Sequence, residues 1–431
     1  MKFFGTADVI ENELTIGGVK CTDLVKEYGT PLYVFDEKLI RDNCKRYINA
    51  FKAGGSGNRV AYAGKAFLTL ALCRIVQEEG LWLDVVSGGE LYTAYKSGFP
   101  MDKIYFHGNN KTVEEIEMGI RLGVGRFVVD NFSEIEFIDS IAAKYNKLQK
   151  IMLRITPGIE AHTHDYIKTG QIDSKFGFTV LNNYTMKAVK KAIEHDNVEL
   201  VGLHCHIGSQ IFDTEPYKDA VDIMLSLIDN IYEETGYMIS ELDLGGGFGI
   251  YYKSGDAPKN IEQFCNIILK QCEDKCKELS VNPPILTIEP GRSVVGNAGL
   301  TLYTVGSIKE IPEIRKYVAV DGGMTDNIRP ALYRAQYECV IANRVLGAVN
   351  EQVTISGKCC ESGDILLSDI TIPEVESGDI LAVLSTGAYG YSMASNYNKI
   401  PKAAVVMASE GAARLICKRE SYEDVIKNEI I

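Results

Sequence analysis

The chain has 431 residues, of which 46% are hydrophobic and 24% charged, the ordinary balance of a soluble globular protein. This length exceeds what one hydrophobic core usually serves, so two domains are the starting expectation. The formal net charge is −13 and no run of Lys or Arg stands out, which argues against nucleic acid as a partner.

The cysteines and the first residues indicate the compartment. Eleven cysteines, an odd number, form no CxxC pair of the zinc-binding type, and Cys359 and Cys360 are adjacent, closer than a normal disulfide allows. We therefore expect free thiols in a reducing cytoplasm. The opening Met-Lys-Phe-Phe-Gly lacks the apolar stretch of a signal peptide. The sequence contains no apolar run of 18 residues, so we expect no membrane span.

The opening thirty residues, with the run Leu14-Thr-Ile-Gly-Gly, are expected to pair with a later β domain rather than with the elements that follow them. From about residue 58 to 290, short β-branched runs alternate with helical patterns such as Leu68–Glu79 and Val113–Leu122. The predicted strands are Val60–Ala63, Trp82–Val86, Ile104–Phe106, Phe127–Val129, Ile151–Ile155, Leu200–His206, Leu242–Leu244 and Ile285–Ile288. Eight strands alternating with helices predict a (β/α)8 TIM barrel, whereas fewer units would indicate an open doubly wound sheet.

After about residue 300 the helical pattern thins, and short apolar runs are separated by Gly, Pro and Asp. The predicted strands there are Leu302–Ile308, Tyr317–Val320, Val353–Ser356, Ile365–Leu367 and Ile380–Leu384. This pattern predicts a largely antiparallel β-barrel or β-sandwich domain. The expected division gives residues 32–306 to the barrel, and residues 1–31 and 307–431 to the β domain.

The C-terminal ends of the barrel strands are where an active site is expected. Nearly every predicted strand ends there in an ionisable residue or a glycine cluster, namely Lys65, Asp84, His107, Arg154, His204, His206, Gly245–Gly247 and Glu289. A lone lysine is usually a solvated surface residue, and a glycine triplet is usually just a turn. At a barrel mouth, however, Lys65 could form a Schiff base, and the backbone N–H groups of Gly245–Gly247 could cradle a phosphate.

The histidines support a rival interpretation, because four of the six form the pairs His162/His164 and His204/His206. Residues two apart on a strand share a face, so His204 and His206 could bind one metal ion. In barrel metallohydrolases the pair usually lies on the first strand, where this chain has Lys65. We therefore expect no metal site, and metal-dependent hydrolysis stays the alternative.

Taken in order, the motifs resemble those of the group IV (fold-type III) pyridoxal-phosphate decarboxylases, whose barrel is of the alanine-racemase type. The resemblance runs from Thr30-Pro-Leu-Tyr-Val to Tyr397-Asn398. The motifs between are Tyr62-Ala-Gly-Lys65-Ala, Leu83-Asp-Val-Val-Ser-Gly-Gly-Glu90, His107-Gly-Asn-Asn-Lys, Lys175-Phe-Gly, His204-Cys-His-Ile-Gly-Ser-Gln210, Gly245-Gly-Gly, Glu289-Pro-Gly-Arg292, Arg329-Pro-Ala-Leu-Tyr333, Cys360-Glu-Ser and Gly387-Ala-Tyr389. One departure is Phe67, where the family commonly has Asn.

The resemblance implies a role for each motif. Lys65 would carry pyridoxal 5'-phosphate, His206 would stack on its ring and Glu289 would pair with the ring nitrogen. The other cofactor-binding residues it implies are Asp84, Ser209, Gly245, Gly246, Gly247, Gly291, Arg292 and Tyr389. The substrate-binding residues it implies are Arg292, Arg329, Tyr333, Glu361 and Tyr389. Cys360 would be the proton donor beside the catalytic Lys65 and His206, and its loop would enter the partner's site in a homodimer.

The expected substrate follows from the residues that would bind the end of the substrate remote from the reacting carbon. Arg292 and Arg329 offer planar forks that match a carboxylate, and Glu361 offers a countercharge for an ammonium group. The expected reaction is therefore decarboxylation of meso-2,6-diaminopimelate to L-lysine and CO2. Decarboxylation of ornithine, arginine or carboxynorspermidine is the first alternative. An amino-acid racemase would need a partner's tyrosine where this chain has Cys360, and non-catalytic cofactor carriers are typically shorter.

Overall fold

The structure, a computed structural model, describes residues 1–55, 57–159 and 173–431. Its strands are β1 Asp8–Ile10, β2 Glu13–Ile16, β3 Val19–Lys20, β4 Leu32–Asp36, β5 Arg59–Ala63, β6 Trp82–Val85, β7 Ile104–Phe106, β8 Arg126–Val129, β9 Gln149–Thr156, β10 Phe178–Thr179, β11 Val198–Cys205, β12 Glu241–Asp243, β13 Ile285–Ile288, β14 Gly299–Ile311, β15 Arg315–Val320, β16 Cys339–Ile341, β17 Val349–Ser356, β18 Ile365–Pro373, β19 Ile380–Val383, β20 Ala404–Ser409 and β21 Ala412–Cys417. Its α-helices are α1 Cys21–Tyr28, α2 Glu37–Lys52, α3 Leu70–Glu78, α4 Gly88–Ser97, α5 Val113–Leu122, α6 Phe132–Lys144, α7 Tyr184–Ile193, α8 Glu215–Thr235, α9 Ile261–Leu279, α10 Arg292–Val295, α11 Arg329–Tyr333 and α12 Tyr422–Ile426.

These elements form two compact units. The barrel unit comprises Asn43–Gly249 and Pro258–Gly291, and the β unit comprises Met1–Asp42, Ile250–Ala257 and Arg292–Ile431. The predicted division into a cofactor-binding barrel (residues 32–306) and a β domain that contributes substrate-binding residues (residues 1–31 and 307–431) stays a prediction. Because β4 pairs with β14, both strands belong to the β unit's sheet.

The barrel unit is a closed parallel barrel, which confirms the predicted (β/α)8 class. Its strands follow the order β5-β6-β7-β8-β9-β11-β12-β13, and β13 pairs with β5 to close the ring, while β10 adds to β9 outside it. All eight predicted strands are present, each within two residues of its predicted ends. The register sets His204 beside both Asp243 and Arg154, and Ala63 beside Asp84.

Local sequence explains where the barrel's helices begin. The side chain of Ser87 caps α4, and Asn131 caps α6 in the same way. Thr112 and Glu115 form a capping box at the start of α5, which supplies two otherwise unpaired backbone N–H groups with acceptors. At these three helices a polar cap after a buried apolar strand therefore turns the chain from the strand into the helix.

The β unit is built mainly from antiparallel pairs, as its sequence predicts. The long strand β14 pairs antiparallel with β4, β15 and β19, whereas β15–β17 and β4–β20 are parallel. Leu14 and Ile16 of β2 pack in one core with residues of β4, β14 and β20. A second core forms around Tyr303, Val318 and Ile355. None of the helices in the described ranges combines the length and apolar character that a bilayer crossing requires.

Candidate active site

Five ionisable side chains meet at the C-terminal ends of the barrel strands, and we call them the upper cluster: Asp84, His107, His204, Asp243 and Glu289. His107 Nε2 lies 2.7 Å from Glu289 Oε1 and 3.7 Å from Asp84 Oδ1. His204 Nε2 lies 3.3 Å from Glu289 Oε2. The two imidazole rings contact each other edge to face, with centroids 4.8 Å apart. Glu289 thus has one histidine at each carboxylate oxygen.

Burial dominates the charges of the upper cluster. It lowers the pKa of His204 to about 3, so this ring is neutral at pH 7. It raises the pKa of Asp84 to about 6, with His107 lowering and Glu289 further raising the value. It also raises the pKa of Asp243 well above the usual range, and the nearby charge of Glu289 raises it further. Burial acts on Glu289 as well, but His107 and His204 outweigh it and hold its pKa well below the ordinary value.

Hydrogen bonding in the upper cluster is incomplete. Each of its five residues has one buried polar atom without a hydrogen-bond partner: Asp84 Oδ1, His107 Nε2, His204 Nδ1, Asp243 Oδ2 and Glu289 Oε1. His107 Nε2 and Glu289 Oε1 belong to this set although they are 2.7 Å apart, because the two groups are not aligned as a hydrogen bond. Buried polar atoms in proteins are nearly always paired, so five such atoms at one site indicate a place made for a polar ligand.

The glycine turn after β12 is fixed by close backbone contacts. A Cβ atom on Gly246 would lie 2.1 Å from the Glu289 carbonyl oxygen, and one on Gly247 would lie 2.5 Å from that of Gly208. Gly245 and Gly247 have φ values of 64° and 104°, which glycine adopts readily. The Gly246 N–H donates to His206 Nδ1 at 3.3 Å and so ties the turn to that ring.

Lys65 lies in a short 3-10 turn, Gly64–Ala66, that follows β5. Its ammonium group is half-buried and acts electrostatically on Asp84 and on His206, whose pKa burial lowers well below the usual range. The neighbouring Phe67 is fully buried, and its carbonyl accepts a 2.7 Å hydrogen bond from the Tyr62 hydroxyl. Phe67 therefore packs as a core residue beside the lysine turn.

The β unit has a second concentration of buried polar groups, which we call the arginine–tyrosine cluster: Arg292, Arg329, Tyr252, Tyr337 and Tyr389. The Tyr252 hydroxyl accepts from Arg292 Nη1 at 2.6 Å and from Arg329 Nη1 at 3.1 Å, and Arg329 also donates to the Tyr337 hydroxyl. Both guanidinium groups lie near the ring of Tyr389, at 4.7 and 6.0 Å from its centroid.

Two arginines that converge on a phenol concentrate positive charge. Burial raises the pKa of Tyr252, but the guanidinium groups of Arg292 and Arg329 outweigh it and lower the value. Tyr389 sits at φ 61°, a conformation that is rare for a residue with a side chain and recurs at binding sites. An anion, above all a carboxylate, is the ligand that such paired forks match.

The Cys-Glu-Ser loop is exposed in this chain but anchored at its backbone. Cys360 and Glu361 are both exposed. The Cys360 N–H donates to Asn398 Oδ1 at 2.8 Å, and the preceding Cys359 N–H donates to the buried Asp364 at 2.8 Å. Tyr333 ends the short helix α11 that begins with Arg329. An exposed but held loop is suited to contact another molecule.

The structure places five of the predicted site residues in the two clusters and adds others. Asp84 and Glu289 fall in the upper cluster, whereas Arg292, Arg329 and Tyr389 fall in the arginine–tyrosine cluster. His107, Asp243, Tyr252 and Tyr337 had no predicted role. Asp243 could have been found because it lies within the short predicted strand Leu242–Leu244, whose observed counterpart β12 ends at Asp243, but no local pattern marks Tyr252 or Tyr337.

The residues that could bind a metal ion in the structure differ from the predicted histidine pair. Among the described residues, the one group of three or more His, Cys, Asp or Glu side chains compact enough for a metal ion is His107, His204 and Glu289. His206 is not part of it, and His162 and His164 lie outside the described residues. The predicted His204/His206 pair is therefore not the pair assembled here.

Known proteins resemble this chain over nearly its whole length. Residues 37–296 match the family described as pyridoxal-dependent decarboxylase, pyridoxal binding domain. A diaminopimelate decarboxylase of Bacillus subtilis is 51% identical over 417 residues, 97% of this chain and 95% of that protein. A Staphylococcus aureus diaminopimelate decarboxylase is 47% identical, with 97% of each chain covered. The crystal structure of the M. jannaschii diaminopimelate decarboxylase has 39% identity and a TM-score of 0.93, covering 99% of this chain and 98% of that one.

Barrel, upper cluster and family match define the class: a pyridoxal-dependent decarboxylase, with pyridoxal 5'-phosphate as its cofactor. Within that class, the chain belongs to the diaminopimelate decarboxylase family. The residues of the barrel unit fit the cofactor. Glu289 Oε1 is a buried acceptor without a hydrogen-bond partner, as a protonated ring nitrogen requires, and the Gly245–Gly247 turn carries no side chains that would keep a phosphate from its backbone.

Proposed function

We propose that this chain decarboxylates meso-2,6-diaminopimelate to L-lysine and CO2. The observation that carries the proposal is the 51% identity to a curated diaminopimelate decarboxylase over 97% of the chain. A further M. jannaschii structure, with the same identity and TM-score, is described as a co-complex with L-lysine, which would be the product here. The arginine–tyrosine cluster supports the choice of substrate, because it offers two guanidinium groups to a carboxylate.

The barrel unit would hold the cofactor, which when bound supplies an electron sink for the carbon–carbon bond that breaks. Lys65 would anchor its aldehyde, and Ser209 with Gly245–Gly247 would bind its phosphate. Glu289 would keep a negative charge at the ring nitrogen, and His206 would lie against the ring. Asp84 and Gly291 would complete the barrel's part of the site.

Arg292 and Arg329 would bind the distal carboxylate of the substrate, with Tyr333 and Tyr389 completing this subsite. Glu361 would meet the distal ammonium group. A substrate that ends in ammonium alone would bring a positive charge towards two buried guanidinium groups and offer them no carboxylate, and such a mismatch rejects an analogue strongly. Ornithine and arginine are therefore expected to be poor substrates.

Cys360 would return a proton to the substrate carbon after CO2 leaves. Its exposure supports a role in the site of a second copy of the chain, and we propose a homodimer on that basis. We also propose a cytoplasmic location, which the eleven free cysteines support.

Product analysis tests the reaction. Protein reconstituted with pyridoxal phosphate is given meso-diaminopimelate, ornithine or arginine in separate reactions, and CO2 and amines are measured. Lysine and CO2 from diaminopimelate alone is the expected result. Release of CO2 from ornithine or arginine instead of diaminopimelate would overturn the roles assigned to Arg292 and Arg329. Release of CO2 from none of the three substrates would overturn the decarboxylase proposal.

The Lys65→Ala variant tests the cofactor anchor. We expect turnover to fall to the background rate, because no other residue is assigned to the cofactor aldehyde. Borohydride reduction followed by peptide mass spectrometry should find cofactor attached at Lys65 in the parent enzyme. Lys150→Ala, at an exposed position of β9, is the matched control and should keep full activity. Parent-level turnover by Lys65→Ala would contradict the assignment.

A further inference from the structure

The upper cluster contains two histidines to which the proposed function gives no role. Both are buried, with exposed fractions of 4% for His107 and 1% for His204. Buried imidazoles are costly unless their nitrogens are used. Their Nε2 atoms instead converge on the two oxygens of one carboxylate, at 2.7 and 3.3 Å from Glu289.

We propose that His107 and His204 are positioning residues that fix the orientation and the negative charge of the Glu289 carboxylate for the cofactor's ring nitrogen. This inference rests on the proposed function, in which Glu289 meets that nitrogen. The two rings support each other through their edge-to-face contact, and they come from different parts of the barrel, since His107 directly follows β7 and His204 lies in β11. One carboxylate is therefore held from two sides.

The charges around Glu289 explain why two imidazoles face it. Asp84 lies in the same cluster, and its negative charge would disfavour a second ionised carboxylate. Lys65 and Arg154 act on the cluster with the opposite sign. His204, which is neutral, can donate only from the nitrogen that carries its proton, and Nε2 is the atom that faces Glu289.

Removing either imidazole should let burial dominate Glu289. The proton affinity of Glu289 would then rise, and a protonated Glu289 could no longer offer a negative charge to the ring nitrogen of a bound cofactor, which would be left neutral. The electron sink weakens while the arginine–tyrosine cluster is unchanged. The expected signature is therefore a loss in kcat with little change in KM.

The test compares apolar and donor-retaining replacements in the cofactor-bound enzyme. His107→Leu and His204→Leu remove the imidazole nitrogen that faces Glu289, whereas His107→Gln and His204→Gln place an amide N–H near the former Nε2. The readout is the 15N resonance of ring-labelled pyridoxal phosphate, measured against pH in the absence of substrate. His195→Leu, which removes a histidine paired with Asp139 at 3.3 Å outside the upper cluster, is the matched control.

We expect a protonated ring nitrogen in the parent, in both Gln variants and in the His195 control, and a neutral one in both Leu variants at pH 7. We further expect kcat of each Leu variant to fall about 10- to 100-fold, the scale of one hydrogen bond to a charged group, with partial recovery in the Gln variants. A protonated nitrogen in both Leu variants, with the parent's pH dependence, would overturn the inference alone. A parent protein that takes up no cofactor would overturn the proposed function and this inference with it.

Discussion

The two ends of the barrel interior both contain buried charges, and they treat them in opposite ways. The N-terminal end has what we call the lower cluster: Arg59, Arg126 and Glu241. Arg126 donates to both oxygens of Glu241, at 2.7 and 3.0 Å, and Arg59 approaches one of them at 2.7 Å. Glu241 therefore has a guanidinium group at each oxygen, whereas each residue of the upper cluster has an atom without a hydrogen bond.

A single strand shows the contrast. Glu241 and Asp243 are two residues apart on β12, so both point into the barrel, and both are almost fully buried. Burial raises the pKa of Glu241, but Arg126 and Arg59 outweigh it and lower the value, whereas the pKa of Asp243 is raised well above its usual range. A buried charged group whose partners are all in place contributes to the stability of the fold. A buried polar group that lacks a hydrogen-bond partner is available to bind a ligand. The same strand thus serves stability at its start and chemistry at its end.

Between the two clusters, the largest expected effect on catalysis comes from Glu289→Gln. We expect kcat to fall about 10²- to 10³-fold, the scale for losing a group that stabilises developing charge. The free energy of unfolding should change by less than about 1 kcal/mol, because the isosteric amide leaves neither a cavity nor an uncompensated charge. Steady-state kinetics and denaturant unfolding measure the two. Parent-like kcat, or a large loss of stability, would erase the contrast between the clusters.

Glu241→Gln is the reverse case. We expect the free energy of unfolding to fall by about 3–5 kcal/mol, because two buried guanidinium groups lose their countercharge. The kcat of the folded protein should stay near that of the parent. Since the folded-state pKa of Glu241 is below its ordinary value of 4.5, its stabilisation is complete above about pH 4.5 and is lost as pH falls through the lower value. The stability gap between parent and variant should therefore narrow in acid, and a gap independent of pH would contradict the role of ionisation.

The barrel itself could be read from the sequence because its strands are short, buried apolar runs that end at glycine or polar caps. The β unit was harder. β16 has three residues, and β20 pairs with β4 from the other end of the chain, so neither its partner nor its register is visible locally. Long-range pairing of this kind depends on tertiary context, which no sequence window contains.

Site residues divide along the same line. Asp84 and Glu289 could be predicted because they stand at strand ends, and the family motifs pointed to Arg292 and Arg329. The role of His107 could not be predicted, because its partner Glu289 follows β13, at the far end of the barrel sequence. Tyr252 is likewise defined only by the two arginines it contacts.

Arg329→Ala tests whether the buried charges of the β unit bind a ligand or stabilise the fold. There the guanidinium groups contact phenols, in contrast to the carboxylate of the lower cluster, so we expect a binding role and not a stabilising one. We expect kcat/KM for diaminopimelate to fall about 100-fold, the loss of a charge-assisted pair, with cofactor binding unchanged. Arg334→Ala, at an exposed position five residues later, is the matched control. Loss of the cofactor in Arg329→Ala would count against the assignment.

The smallest effect is expected for Tyr252→Phe, which removes one oxygen and keeps the ring. The hydroxyl accepts from both arginines and so holds two like charges side by side in a buried place. Without it the guanidinium groups can separate, and we expect KM for diaminopimelate to rise about tenfold with kcat little changed, the cost of one hydrogen bond to a charged group. Tyr237→Phe, which removes a hydroxyl bonded to a backbone carbonyl in the barrel unit, is the control. A lower free energy of unfolding without a change in KM would contradict a binding role. Tyr252 would then stabilise the fold by neutralising buried charge, as Glu241 does in the lower cluster.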